Sequence, residues 1–462
     1  MELNINNVSD LKIKDFLKSG LKCTCGKEHT IGLERVLIEK DAIKKLPNIL
    51  KDLGFKKALV IADKNTYKAA GNLVQAVLKE DKFNYKEFIF ETEDDLVPDE
   101  NAVGRLFMQY DKDVDVILTI GSGTLNDLGK FISYRLGISS VIVATAPSMD
   151  GFASNGSALI VDNLKTTYEV DVPEAIIGDV NILKDAPMEM ILAGFGDIVG
   201  KYSALNDWKL SKIINKEYYC DVTVKMVDDS IQKCMDNSEK MVNRDETAIK
   251  NLMEALVLTG IAMSFVGNSR PASGSEHHLA HYLEMMFLFE GKKAVLHGTK
   301  VGISTIITTK LREILSEYEI NFDEVIKKVK LFDQNQWEEN IKRFYGKAAP
   351  GIIQLAAKDK RNSIESRLER INSIRENFNE IRSVISNIPS SDEIKVILKK
   401  VGAAVEPEDV GIGMQTMLDA IVMAKEVRTR YSILSFLGDL DLLDEFSDKI
   451  KNYLAERVQY VK

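Results

Sequence analysis

The chain has 462 residues, of which 45% are apolar and 28% charged, and it carries a net charge of −9. This is the composition of a soluble globular protein with room for two or three domains. The acidic balance excludes nucleic acid or an anionic membrane as the main partner but leaves room for a small anion in a local basic pocket. No apolar run reaches the ~20 residues that span a bilayer. The N-terminus lacks a basic segment followed by an apolar stretch, and four cysteines do not make a disulfide framework. A cytoplasmic protein without membrane insertion is expected.

Residues 1–35 read as an N-terminal extension with a short hairpin. Within it, CTCGKEH (Cys23, Cys25, His29) offers three soft ligands, but C-x-C is not the usual zinc-finger spacing. The favoured reading is a reduced cysteine pair on a hairpin beside a glycine turn; a second metal site is the alternative. From 36 to 185, strand and helix patterns alternate. Strands are expected at 57–62 (KALVIA), 85–90, 114–120 (VDVILTI) and 140–145 (SVIVAT), and helices at 66–79, 101–110 and 124–136. Apolar strands separated by helices predict a parallel sheet with crossover helices. A small antiparallel hairpin is expected at 156–170, over the sheet edge. Asp185 and Pro187 sit where a helix start places a cap and a first-turn proline, so 186–462 is read as an all-helical domain. The charged stretch 358–385 reads as a solvated helix, and NIPSSD (387–392) as a turn.

Four segments carry chemistry. IGSGTLNDLGK (120–130) follows a buried strand and opens a helix. Gly121 and Gly123 permit close backbone approach to a pyrophosphate, and Thr124 and the helix N-terminus supply donors. It is not the G-x-G-x-x-G fingerprint, and a tight turn without ligand is the competing reading. Asp127 and Lys130 face solvent or pair with neighbours. ATAPSMDGFASNGSAL (144–159) begins where a strand ends, the edge at which α/β sheets bind ligands. There Thr145 and Ser148 are candidate donors, whereas Asp150, before a glycine, reads by itself as a turn residue. In LAGFGDIVGKYSALNDW (192–208), Asp197 lies on an apolar helical stretch. A carboxylate there is costly unless paired, with Lys201 the obvious partner, or metal-bound.

Four of the five histidines fall between 277 and 297, in SGSEHHLAHYLE and VLHGTKVG. His277 and His281, four apart, share one helix face; His297 follows after sixteen residues. With Asp197 they could supply two imidazoles and a carboxylate with an open fourth position, a familiar catalytic zinc set able to polarise a carbonyl. Spacing leaves two options: the His277/His281 pair binds one ion, or one ligates while the other faces substrate.

The order of glycine loop, SMDG, GFGD, SRPASGSEHHLAH (269–281) and LHGTKVG (296–302) resembles the sn-glycerol-1-phosphate dehydrogenase family, within the iron-containing alcohol dehydrogenase and dehydroquinate synthase superfamily. APSMDGFAS and AKEVRTRYSILSFLGDL (424–440) resemble its bacterial branch. The resemblance implies an α/β nucleotide-binding domain with a parallel sheet followed by an all-α metal-binding domain, with the active site in the cleft. It implies Asp197, His277 and His297 as metal ligands, with Asp150, His281 and Asp197 touching substrate. It further implies Gly121, Ser122, Gly123, Thr124, Leu125, Thr145, Ala146, Pro147, Ser148 and Ser154 at the dinucleotide, with Asp63 a weaker candidate for the adenosine ribose. The implied reaction is reversible reduction of dihydroxyacetone phosphate by NADH or NADPH to sn-glycerol 1-phosphate, a lipid precursor. One divalent ion (zinc first, nickel or iron as alternatives) and a homodimer are expected, with Arg270 or Lys300 near the phosphate. The rivals are a polyol dehydrogenase, a dehydroquinate synthase-like cyclase and a silent nucleotide- or metal-binding protein. Two departures bear on substrate identity: the interval from His281 to His297 is four residues longer than is usual in the family, and Asn155 stands where its bacterial branch commonly has proline.

Overall fold

The computed structural model describes residues 2–17, 20–92, 95–162 and 164–460. They form two compact units, Met1–Ile198 with Cys220–Pro271, and Val199–Tyr219 with Ala272–Lys462. The first unit is built on six strands: β1 (Arg35–Glu39), β2 (Lys57–Asp63), β3 (Asn84–Phe90), β4 (Val116–Gly121), β5 (Ser139–Ala144) and β6 (Ala175–Asp179). Their order is β1-β6-β5-β4-β2-β3, and every pairing is parallel. The four expected strands are there, displaced by at most two residues at either end. β1 and β6 went unrecognised because each is only five residues long and β1 is half-buried.

The continuous apolar runs have a simple cause. In β2, Ala58, Val60 and Ala62 pack into the core on one face with Leu46, Leu50, Val74 and Leu78. Leu59 and Ile61 point to the other face and pack with Leu106, Leu125 and Ile132. Side chains alternate across a strand, so a sheet covered on both sides needs apolar residues at every position. The expected hairpin forms a separate two-stranded sheet, Gly156–Val161 with Leu164–Glu169; its residue 163 lies outside the described residues.

The expected division at 185/186 falls just before a 28-residue helix, Met188–Asn215. The compact units cut the chain elsewhere: residues 220–271 group with the sheet. The helix Glu246–Val266 explains this, because it packs on β1 and on the turn Gly151–Ala153. That helix is long and apolar enough to cross a membrane by length and composition, although Lys250 and Glu254 interrupt its apolar run. Yet 78% of its apolar window is buried inside the protein, which is the environment of a core helix.

The second unit is helical, around one apolar core that includes Leu283, Ile303, Leu311, Ile421, Phe436 and Phe446. The stretch expected as one solvated helix is two, Ile364–Glu376 and Phe378–Ile385. Ile371, Ile374, Ile381 and Ile385 are buried and face that core. The expected turn is found: Ser390 caps the next helix, and Glu393 returns the bond to its backbone N–H.

Candidate active site and metal centre

In the sheet unit, β4 and β5 are neighbours with Gly121 opposite Ala144. The segments that follow them therefore leave the sheet side by side. Ser122 leads into the helix α1 (Gly123–Leu136), whose first turn presents Gly123, Thr124 and Leu125. Thr145 donates its backbone N–H to the Gly121 carbonyl (3.0 Å), and the Ser122 and Ser148 hydroxyls are hydrogen-bonded to each other. Sequence proximity gave no sign of this second link. It joins the glycine loop to the Thr145, Ala146, Pro147, Ser148 segment as one surface at the carboxyl ends of two strands, where α/β folds bind ligands.

Lys130 is buried rather than facing solvent. Its ammonium donates to the carbonyls of Gly151 (2.9 Å), Ser154 (3.1 Å) and Gly156 (2.6 Å) and to Ser154 Oγ (3.3 Å). Burial pushes Lys130 down and Asp127 up from their ordinary ranges, each offset in part by the other's charge. Ser154 is thus held inside this knot, its hydroxyl also donating to the Gly151 carbonyl (3.1 Å). Asp63 caps the helix that follows β2, its Oδ1 accepting from Thr66 N (2.8 Å). This gives the carboxylate a structural task.

The long helix is α2 (Met188–Asn215). Gly194 on it lies so close to the Pro147 backbone that a Cβ would come 1.8 Å from the carbonyl oxygen. Glycine is required there for the helix to reach the loop. One turn on, Asp197 is fully buried, and its Oδ2 accepts the backbone N–H of Asp150 (3.0 Å). That bond fixes the carboxylate's orientation.

The later part of α2, from Val199, belongs to the helical unit, together with α3 (Ser275–Phe289) and α4 (His297–Ser316). The start of α3 is pinned from below. Asp207 accepts from Ser275 N (2.7 Å) and Ile433 N (2.8 Å), and pairs with the buried Arg312 (2.5 Å). Arg312 also donates to Asn206, Ser203 and Thr308.

On that base stand the histidines. The rings of His277, His281 and His297 have centroids 5.0–6.0 Å apart. Two carboxylates orient them. His277 Nδ1 lies 2.7 Å from Glu276 Oε1, which also accepts from Gly274 N (2.8 Å). His297 Nδ1 lies 2.8 Å from Glu284 Oε1, and His281 Nδ1 lies 3.1 Å from Glu284 Oε2. A carboxylate on Nδ1 fixes the proton there, so Nε2 is the ligating nitrogen. His277 and His297, both in the helical unit, are two of the three expected ligands, and Asp197, the third, belongs to the sheet unit. The donor set, two imidazoles and a carboxylate with ordered carboxylate partners behind the imidazoles, fits a divalent ion. His281 differs from the other two, since Arg428 faces its Nε2 at 3.1 Å.

Three functional candidates were missed from sequence: Glu284, Arg428 and the orienting role of Glu276. Glu284 was findable, being three residues beyond His281 and so on the same helix face. Arg428 had no such signal, 147 residues away in the chain. Lys300 is buried, donating to the Val295 carbonyl (2.7 Å) and lying 3.5 Å from Glu284 Oε1. Arg270 is buried in the sheet unit.

A parallel sheet with a glycine loop at its carboxyl edge, joined to a helical unit bearing these histidines, is the architecture of the iron-containing alcohol dehydrogenases, whose family model matches residues 37–187. A solved structure of a probable glycerol dehydrogenase from Sinorhizobium meliloti has this fold, with a TM-score of 0.58 and 16% identity over 90% of this chain and 98% of that one. Within the class, the chain is 33% identical over 430 residues to the glycerol-1-phosphate dehydrogenase [NAD(P)+] of Halalkalibacterium halodurans, covering 92% of this chain and 98% of the relative. It is 31% identical to that of Geobacillus stearothermophilus over 93% and 98%. The chain belongs to the glycerol-1-phosphate dehydrogenase family.

Proposed function

We propose that this protein is an oxidoreductase that reduces dihydroxyacetone phosphate to sn-glycerol 1-phosphate with NADH or NADPH, reversibly. The observation that carries the reading is the match, over nearly the whole chain, to relatives of nearly equal length that bear this activity in their names, in a sequence that holds the implied ligands Asp197, His277 and His297. Asp197, His277 and His297 would hold a divalent ion, which would supply Lewis acidity toward the carbonyl, and the hydride would come from a bound nicotinamide. The surface formed by Gly121, Ser122, Gly123, Thr124, Leu125, Thr145, Ala146, Pro147, Ser148 and Ser154 orients the dinucleotide. Asp63, committed to its helix cap, is the weaker ribose contact.

His281 and Asp150 are the proposed substrate contacts. His281 keeps its Nδ1 proton on Glu284, so its Nε2 is an acceptor. On binding, a substrate hydroxyl would replace the Arg428 N–H there, and His281 would relay the exchanged proton. Arg428, released from that bond, is a better phosphate partner than Lys300, which is engaged with Glu284 and Val295. Zinc is the proposed metal, and the cytoplasm and a homodimer the proposed setting.

The test is a comparison of ketones with the metal-loaded protein. Oxidation of NADH or NADPH is expected with dihydroxyacetone phosphate, and much less with unphosphorylated dihydroxyacetone. Preference for the unphosphorylated ketone would make the protein a polyol dehydrogenase. Nucleotide binding without turnover of either would refute the reading.

A further inference from the structure

Three of the four cysteines, and the one histidine outside 277–297, meet within the sheet unit. Cys23 ends the strand Leu21–Cys23, Cys25 lies in the hairpin turn, and His29 ends the returning strand Glu28–His29. Cys220 is the N-cap of the helix Asp221–Met235. Cys23 Sγ and Cys220 Sγ are 3.8 Å apart, Cys25 Sγ and His29 Nε2 3.5 Å, and Cys220 Sγ and His29 Nε2 3.6 Å. All four ligand atoms lie within 4.8 Å of one another. A tetrahedral ion bonded to sulfur at about 2.3 Å and to nitrogen at about 2.0–2.1 Å sets S···S edges of about 3.8 Å and S···N edges of about 3.6 Å. The three separations match three edges of that tetrahedron.

The surroundings suit an ion as well. His29 Nδ1 lies 3.0 Å from the Phe265 carbonyl, so it donates there and leaves Nε2 aimed at the sulfurs. The imidazole also stacks on the Phe265 ring, centroids 4.9 Å apart. Cys220 Sγ accepts from Thr223 N (3.4 Å) and Thr223 Oγ1 (3.1 Å) in the first turn of its helix, which fixes where the sulfur points. Gly26, with φ of +86°, takes the left-handed conformation that turns the chain back after Cys25. Among the described residues Cys23, Cys25 and Cys220 form no disulfide, and the separation of Cys23 and Cys220 is far beyond the about 2.05 Å of a disulfide.

We propose that Cys23, Cys25, His29 and Cys220 bind one structural zinc ion, separate from the ion at the histidine cluster. Three sulfurs and one nitrogen complete four-coordination and leave no open position, which is the pattern of a structural site. The need for it is local. The N-terminal sheet has strands of two, three and two residues, too short to hold themselves. The ion would fasten this segment to the N-terminus of the helix Asp221–Met235 and, through His29, to the end of the helix Glu246–Val266. The dehydrogenase reading is not required: a chain inactive on every ketone would hold this ion equally.

The experiment is metal analysis of the full chain, purified anaerobically with zinc, beside absorption spectra after cobalt substitution. His277→Ala is expected to keep one zinc per chain, and the Cys23→Ser/Cys220→Ser pair to lose that equivalent and unfold at lower temperature. Because the double variant can fail to fold, Cys25→Ser, the most exposed ligand, and the cobalt spectrum of the intact protein stand beside it. Sulfur-to-cobalt charge-transfer absorption is expected, retained in His277→Ala and displaced by zinc. Zinc content unchanged by the cysteine substitutions, a cobalt spectrum without thiolate absorption, or a Cys23–Cys220 disulfide in the anaerobic protein would each overturn the proposal.

Discussion

Among the described residues, metal-ligating groups crowd together in two places, and these are built on opposite principles. At the histidine cluster the donors are nitrogen and oxygen, and carboxylates stand behind the imidazoles. The side chains of His281 and His297 stay 16% and 26% accessible. At the cysteine cluster the donors are mostly sulfur, His29 is 1% accessible, and a backbone carbonyl stands behind the imidazole. An open set with hard ligands suits an ion that must admit a substrate; a closed set with soft ligands suits one that only holds the chain. Accessibility and donor type, more than the presence of histidine, separate chemistry from architecture here.

The sharpest way to break this contrast is to remove His277. His277→Ala should lower turnover by about three orders of magnitude, the scale of losing a Lewis acid worth several kcal/mol, and should abolish metal at that centre only. Removing His281 should leave the metal in place while lowering the rate; equal metal loss in both variants, measured by mass spectrometry, would end the division of roles. A comparable effect on stability is expected beneath the cluster. Arg312→Met strands the fully buried Asp207 carboxylate and should cost about 3–5 kcal/mol in urea unfolding, without changing the zinc held by the cysteines.

Next comes Glu284, which serves two histidines with one carboxylate. Glu284→Gln keeps the size but weakens the acceptor on His297, and a loss of roughly 10- to 100-fold in metal affinity or turnover is expected. An unchanged metal titration would show that packing alone orients His297. Gly194→Ala should act on the dinucleotide instead. Its methyl collides with the Pro147 carbonyl, and pushing helix and loop apart should cost about 1–3 kcal/mol, read mainly as a raised KM for NAD(P)H.

The two clusters also differ in how legible they were. His277, His281 and Glu284 lie on one helix, so their convergence follows from a period of 3.6 residues. The glycine loop was legible for the same local reason, as a strand-to-helix turn. Cys23, Cys25 and His29 were visible as a motif, but three donors on a hairpin do not close a tetrahedron, and the bland reading won. The fourth ligand stands 191 residues from His29, placed by a helix whose grouping with the sheet no periodicity reports. The same limit hid Arg428, and the two five-residue strands escaped because short runs carry too little pattern.

The smallest expected effect concerns how Arg428 is held over His281. Its segment is clasped by Arg361, which donates to the Arg428 carbonyl (3.0 Å) and to Glu426 Oε2 (2.8 Å), while Trp337 Nε1 donates to Glu426 Oε1 (3.2 Å). Burial alone would raise the Glu426 carboxyl, but Lys425, Arg361 and the Trp337 N–H outweigh it and hold it below its ordinary value. The folded state therefore binds fewer protons than the unfolded chain just below the usual glutamate range of about 4.3. The clasp contributes fully above that range and is lost as pH falls through the lower folded value. In urea titrations the gap between wild type and Glu426→Gln should be widest near neutrality and should close as pH drops below about 4.3. A gap that stays constant over that interval would mean the charge does not hold the clasp, and that Arg428 is set by packing, as the closed cluster is set by its sulfurs.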